Sequence, residues 1–411
     1  IESNGKISIA GFLKHGHNKL NTDGIGLLTI KSENGIVVNE KLGSQGELLA
    51  TIDSVGNAKF ENGNNSGVVI NGKVLNNGNL NLKNNGSEGV VVNSIIENTN
   101  GTLKLDNTKG NVTIAQTGTL QNSNGNIEIN NAGEGKVSVI GKIKNLIKGD
   151  TKINSQGASG VEIIGVISST NGSVDIINKK GGVNVSGSVE NAKGKISLKN
   201  DGADGVRLTS TGKIDNKNGL TEITNTNGAV IIEKNAKLLN NNGTLTVTNS
   251  GNGGINIAGL VNNKNGKTHV NNKNAGLTIT ETGKVENNNG NLELSNSGKN
   301  GMKIQGKVLT TGNADINIIN SNSDVVIGHE NNDFNIESGR NVVIKQTNGN
   351  ILNAGVDKTL ISTASDLIMS VNGGSVGKRA ETDKPAYSID ARTRDNKKSI
   401  NVNVKGKVNI E

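Results

Sequence analysis

Gly290-Asn291-Leu292-Glu293-Leu294-Ser295-Asn296 is followed by Gly301-Met302-Lys303-Ile304 and then by Gly306-Lys307-Val308. In each piece apolar and polar residues alternate, the period-2 signature of a short strand with one buried face. Gly, Asn, Ser and Lys stand between the pieces and mark corners. One unit therefore holds three short strands and three corners. Its opening glycine recurs at Gly56, Gly78, Gly101, Gly125, Gly149, Gly172, Gly194, Gly219, Gly243, Gly266, Gly290 and Gly312. The steps are 22, 23, 24, 24, 23, 22, 25, 24, 23, 24 and 22 residues. A fixed period in the low twenties is the mark of a solenoid.

The predicted core is aliphatic and interchangeable from unit to unit. The first strand offers Leu103/Leu105, Ile127/Ile129 and Leu292/Leu294; the second offers Val112/Ile114, Val137/Val139 and Ile255/Ile257; the third offers Val74, Leu120, Ile143 and Val285. β-Branched residues suit pleated strands, and no apolar stripe of helical length appears.

Asparagine is the sharper signal. Six residues after the opening glycines stand Asn62, Asn84, Asn107, Asn131, Ser155, Asn178, Asn200, Asn225, Asn249, Asn272 and Asn296. A second column, Asn76, Asn98, Asn122, Asn145, Asn191, Asn216, Asn240, Asn263 and Asn287, follows the third strand. Stacked carboxamides pass hydrogen bonds from layer to layer, as in cross-β ladders, so the columns predict that like residues lie above one another. An antiparallel meander would reverse every unit and leave the columns without purpose. Propeller blades need about twice the period, and leucine-rich repeats need one strand in a Leu-x-x-Leu-x-Leu frame. The expected fold is all-β: a right-handed parallel β-helix with three short strands per coil and about 23 residues per coil, the hand following from the crossover rule.

The regular repeat runs over residues 56–312. Residues 1–55 read as irregular coils with insertions, and residues 313–411 as less regular coils carrying a charged, proline-bearing excursion at 378–398. That excursion is the best candidate for a protruding loop, and loops on rigid scaffolds are where binding usually lives. Lys378, Arg379, Lys384, Arg392 and Arg394 are its candidate partner-binding residues. The chain ends in mid-pattern without a polar cap and opens without a signal peptide, so it is expected to be a piece of something longer.

Composition bounds the function. Across 411 residues there are three Phe, one Tyr and no Trp, which leaves few aromatic platforms for sugar. The net charge of +8 is spread along the chain, without the clustered patch expected of a nucleic-acid binder. No apolar run is long enough to span a membrane. The absence of Cys fits reducing compartments and long exported chains alike. His15 and His17 would project together from a strand but have no carboxylate or thiol at motif spacing, so no metal is expected. Asp201-Gly-Ala-Asp204-Gly occurs once and lacks the repeated Gly-Gly-x-Gly-x-Asp of calcium-binding β-rolls. Lys73, Lys142, Lys213, Lys237, Lys284 and Lys307 recur after the third corner as a broken stripe, offset by Glu190, Asp215 and Glu286. Acidic residues such as Glu128, Asp175, Glu222 and Glu293 scatter singly on outward positions. No catalytic residue, cofactor or enzyme activity is expected from that pattern.

Asn100-Gly-Thr-Leu-Lys-Leu-Asp-Asn107, Gly110-Asn-Val-Thr-Ile114 and Gly118-Thr-Leu-Gln-Asn122 resemble the filamentous haemagglutinin-like exoproteins of two-partner secretion, including the leukotoxin-type filamentous adhesins of Gram-negative bacteria. Gly349-Asn-Ile-Leu-Asn353, Asp366-Leu-Ile-Met-Ser-Val-Asn-Gly-Gly-Ser-Val-Gly377 and Ser399-Ile-Asn-Val-Asn-Val-Lys-Gly-Lys-Val408 carry the same likeness. The resemblance implies export through an outer-membrane secretion partner, a right-handed β-helical shaft, and attachment to a host-cell receptor or glycan at the bacterial surface or after secretion. Some members are toxic to leukocytes. The Asn-Pro-Asn-Gly or Asn-Pro-Asn-Leu box of the secretion domain is absent, since Pro385 is the only proline; the likeness is to an interior piece of shaft. The resulting expectation is a structural shaft segment of a secreted or surface-anchored adhesin or filamentous toxin. An autotransporter passenger or surface-layer domain is the first alternative, and a β-helical polysaccharide lyase or hydrolase the second.

Overall fold

The computed structural model describes residues 1–9, 12–15, 28–34, 36–38, 51–55, 58–63, 65–332, 334–355, 358–377, 388–395 and 397–405. Every regular element among them is a strand, with no helix. The chain divides into two compact units, Ile1–Ala203 and Asp204–Glu411. That boundary falls inside the regular repeat rather than where the spacing changes.

In the first unit each coil contributes one strand to each of three parallel sheets. Leu103–Asn107, Val112–Ile114 and Thr119–Asn124 make one coil; Ile127–Asn131, Val137–Val139 and Lys142–Lys148 make the next. Leu103 lies beside Ile127, Leu105 beside Ile129 and Asn107 beside Asn131. The second strands match Val112 to Val137 and Ile114 to Val139, and the third strands match Leu120 to Ile143. The alternation read from the sequence thus becomes a burial pattern: Leu103, Leu105, Val112, Ile114 and Leu120 are wholly buried, as are their counterparts one coil on. In the early coils the paired residues lie further apart along the chain. Glu2 lies beside Lys31, Ile7 beside Ile36, and Phe12 beside Thr51.

The second unit repeats the plan. Leu245 pairs with Thr268 and Thr268 with Leu292 in one sheet, Ile255 with Leu277 and Leu277 with Met302 in another, and Val261 with Val285 and Val285 with Val308 in the third. Later coils lengthen without losing the stack, as Ile316 lies beside Val342, Val342 beside Leu367, and Leu367 beside Ile400.

Close stacking restricts the opening corner. At Gly125 and Gly149 φ is 149° and 124°, values that L-residues rarely adopt. A Cβ at either would also meet the carbonyl oxygen of the glycine one coil earlier, Gly101 or Gly125. Glycine recurs at this corner because two neighbouring backbones pass where a side chain would stand.

Leu105 is fully buried, whereas Thr113 on the adjoining strand is half-buried and faces outward. Leu105→Ala is expected to destabilise its coils by about 2–5 kcal/mol, while Thr113→Ala changes stability by less than about 0.5 kcal/mol. Urea unfolding followed by circular dichroism measures both, and equal effects would contradict this division of core and surface.

Candidate functional site

The most conspicuous chemistry of the coils is the buried carboxamide. In the first column, Asn62 Nδ2 donates to Asn84 Oδ1 at 2.7 Å, Asn84 to Asn107 at 2.8 Å, and Asn107 to Asn131 at 2.8 Å. Asn178 donates to Asn200 at 2.8 Å. In the second unit the chain runs from Asn225 through Asn249, Asn272 and Asn296 at 2.7, 3.1 and 2.8 Å. The same Nδ2 also closes its own corner: Asn84 donates to the Gly86 carbonyl, Asn107 to Gly110, Asn249 to Gly251 and Asn296 to Gly298. One N–H thus folds the coil and the other ties it to the next.

The ladder extends beyond the fixed six-residue offset. Asn296 donates to Asn320 and Asn320 to Gln346, both at 2.8 Å. Extra corner residues after Gly312 shift Asn320 out of the six-residue frame, and Gln346 joins by its longer side chain. The second column differs from the ladder expected of it. Asn76 donates to Asn98 at 2.8 Å and Asn240 to Asn263 at 3.1 Å. Asn98 reaches Asn122 at 3.4 Å, but other amides of the column turn to the opening corner: Asn122 donates to the Gly101 and Asn126 carbonyls, Asn263 to Gly243 and Lys267, and Asn287 to Gly266 and Asn291. The glycine carbonyl from the coil before lies within reach there and competes with the next amide.

Ser155 breaks the first column. Its hydroxyl stops short of the next layer, and the buried Asn178 Oδ1 has no hydrogen-bond partner among the described residues. Ser169, in the same coil, stands in the second column, and both its Oγ and the Asn191 Oδ1 are likewise unpartnered among those residues. Beside Ser155 the surface opens into a cleft of about 230 Å³ that Asn130, Asn131, Asn154 and Gln156 help to line.

Of the five proposed partner-binding residues, Lys378, Arg379 and Lys384 lie outside the described residues. Arg392 and Arg394 belong to the stack. Ala391–Thr393 is a strand paired with Ile361–Thr363. The Arg392 guanidinium lies 4.4 Å from the centre of the Phe334 ring, a cation–π contact. Arg394 reaches Glu337 Oε1 at 2.7 Å and donates to the Ser338 carbonyl at 2.6 Å. Residues 391–393 of the excursion are therefore a strand of the stack, and Arg392 and Arg394 contact other parts of the chain.

The lysine stripe is present only in pairs. Lys213 lies beside Lys237 and Lys284 beside Lys307, whereas Lys142 has Thr119 and Val166 as neighbours. Lys213 reaches Asp215 at 2.9 Å and Lys284 reaches Glu286 at 3.0 Å. Burial opposes the charge on Asp215, but hydrogen bonds from Lys213 and Lys217 hold its carboxyl below the ordinary range. Asp315 is held low chiefly by hydrogen bonding to Arg340, whose Nε is 2.6 Å from Oδ1, against an opposing effect of burial.

A cleft of about 430 Å³ is lined by Asn126, Glu128, Asp150, Lys152, Asp175 and Ile177. Lys152 stands between Glu128 and Asp175 in the register of the sheet, and Asp150 accepts a hydrogen bond from the Ser173 amide at 2.7 Å. Among the described residues no three His, Asp, Glu or Cys side chains are grouped to hold a metal, and no helix is long and apolar enough to cross a membrane. His17 lies outside the described residues; Asp201 pairs with Lys179 at 2.7 Å. Comparison with protein-family models, curated proteins and solved structures found no match to the chain.

Ser155→Asn is expected to bridge Asn131 and Asn178 and raise stability by about 0.5–1.5 kcal/mol. Asn107→Ala strands partners on both sides and should cost about 2–4 kcal/mol. Equilibrium urea unfolding reads both changes; a Ser155→Asn protein less stable than the parent would contradict the geometry.

The Asp215 and Asp315 carboxyls have folded-state pKa values below their unfolded ones. They stabilise the fold above the ordinary aspartate value of about 3.9 and lose that contribution as pH falls through their lowered values. Melting temperature should therefore drop more steeply below about pH 4 in the parent than in Asp215→Asn or Asp315→Asn. Superimposable pH profiles would remove these pairs from the account.

Proposed function

We propose that the chain is a structural shaft segment of a secreted or surface-anchored bacterial adhesin or filamentous toxin, exported through an outer-membrane partner and serving host-cell attachment. The observation that carries this reading is how the coils use their side chains. Inward positions are spent on aliphatic packing and carboxamide ladders, and many outward charges meet an opposite charge on the same or a nearby coil, as in Lys83–Glu61, Lys136–Glu162 and Lys179–Asp201. Such a surface repeats without converging on one reacting point, which suits a spacer. The likeness of the repeat to two-partner-secretion adhesins supports the same role.

The glycan-cleaving reading has the Glu128–Asp150–Asp175 cleft in its favour. Against it, Lys152 lies between two of the carboxylates in register, and no aromatic side chain lines the cleft. We therefore propose a non-enzymatic role.

Bacteria displaying the chain on an outer-membrane anchor are expected to bind cultured host cells above the level of the anchor alone. The step from Gly219 to Gly243 is one whole coil, so excising residues 220–243 should leave display and adhesion intact, whereas excising 220–231 should abolish display. Adhesion no higher than the anchor's, or lost with the whole-coil excision at equal display, would sink the shaft reading. Release of oligosaccharide from acidic polysaccharides by the parent but not by Glu128→Gln would replace it with an enzyme.

A further inference from the structure

One corner of the first unit departs from the common Asn-x-Asn-Gly pattern by carrying an aliphatic pair. Between third and first strands the chain reads Asn98-Thr-Asn-Gly101 and Asn122-Ser-Asn-Gly125, and the second unit has Asn216-Lys-Asn-Gly219, Asn240-Asn-Asn-Gly243, Asn263-Lys-Asn-Gly266 and Asn287-Asn-Asn-Gly290. In their place stands Asn145-Leu146-Ile147-Lys148-Gly149, one residue longer and apolar at its centre. The extra residue appears as a bulge: Asn122 pairs with Asn145, but Asn124 pairs with Lys148. The bulge turns both aliphatic side chains to solvent, Leu146 at 38% and Ile147 at 55% exposure. Ile164, at the corner leading into the next strand of the same sheet, is 45% exposed.

Along the strand that carries these side chains, Lys142–Lys148, the charge has one sign. Lys142, Lys144 and Lys148 flank them, and none makes an ion pair among the described residues. Facing outward beside Lys142 and Lys144 are Thr119 and Gln121 on one neighbouring strand and Val166 and Ser168 on the other. The nearest outward carboxylates of this sheet, Glu97 and Glu190, are two coils away on either side. Asp150 follows Lys148 closely but accepts from the Ser173 amide. Adjacent aliphatic side chains in water cost free energy that the polar corners of other coils avoid.

We propose that the Lys142–Lys148 corner docks on an anionic phospholipid surface, with Leu146 and Ile147 entering the headgroup region and the three lysines meeting anionic headgroups. Aliphatic side chains gain by leaving water at that boundary, and lysine stems extend so that their ammoniums stay among the headgroups. An acidic glycan or nucleic acid would use the lysines but gain nothing from Leu146 and Ile147, and no aromatic side chain is exposed at this corner for stacking. The docking is peripheral, reversible and weakened by salt. It does not depend on the shaft reading.

The chain has no Trp, so Ile147→Trp places a single reporter at the contact. Its emission should shift to shorter wavelength with vesicles of phosphatidylserine and phosphatidylcholine, and stay unshifted with phosphatidylcholine alone. In flotation of the full chain, Leu146→Ser with Ile147→Asn, which copies the polar corner of the preceding coil, should weaken binding about tenfold or more. Lys142→Gln, Lys144→Gln and Lys148→Gln together should weaken it roughly a hundredfold at low salt. Circular dichroism checks that each variant keeps its strands. An unshifted Trp emission overturns the proposal, as does vesicle binding by the folded Leu146/Ile147 variant equal to the parent's. Retention on heparin that needs the lysines, without vesicle binding, also overturns it in favour of an anionic polymer.

Discussion

A carboxamide taken out of water must have its hydrogens and its oxygen met, or it opposes folding. Stacked coils meet that condition at low entropic cost where an asparagine such as Asn84 donates both to its own corner and to the asparagine of the next coil. The bond requires parallel strands in register. A slip of one residue would place the amide on the outer face and an outward residue in the core. The aliphatic core fills space and is tolerant of exchange among Leu, Ile and Val. The ladder is more selective, and where it is continuous it favours the register that places asparagine over asparagine.

The glycine corner follows from the same condition. If coils are to sit close enough for amide to reach amide, their backbones must nearly touch where they turn. At Gly125 and Gly149 the turn also takes a left-handed conformation, with the carbonyl of the preceding coil where a Cβ would stand. That carbonyl then becomes the partner of the second asparagine column, as Asn122 donates to Gly101 and Asn287 to Gly266. Core, ladder and corner are three consequences of one spacing.

This economy bears on function. Repetition gives length and an outer surface with few places where chemistry converges, which is what a shaft needs. The coil between Gly149 and Gly172 interrupts that uniformity. Ser155 and Ser169 replace both asparagines there, buried acceptors of the following coil are left unpartnered, and the corner entering it carries exposed Leu146 and Ile147 among lysines. Local rules of the repeat are broken there in several ways at once, which is how a site with a role besides stacking would read.

Period, strand number and core positions were legible in the amino-acid order because they depend on alternation within five residues and on its recurrence. Ser155 was visible as the odd member of its column, and the Asn-x-Asn corners contained the signal that Leu146-Ile147 breaks, though charge and composition averages conceal it. Other features depend on partners a coil or more away. The donors of Asn122 turned to a glycine carbonyl, Gln346 joined the ladder, and Arg394 closed on Glu337, 57 residues earlier. Sequence by itself determined that this chain stacks, since an alternating apolar pattern with recurrent asparagine has no other way to satisfy its buried groups. Only the tertiary structure decided which partner each polar group takes and which side chains face water, because those partners lie a coil or more away and an inserted corner residue is taken up locally as a bulge.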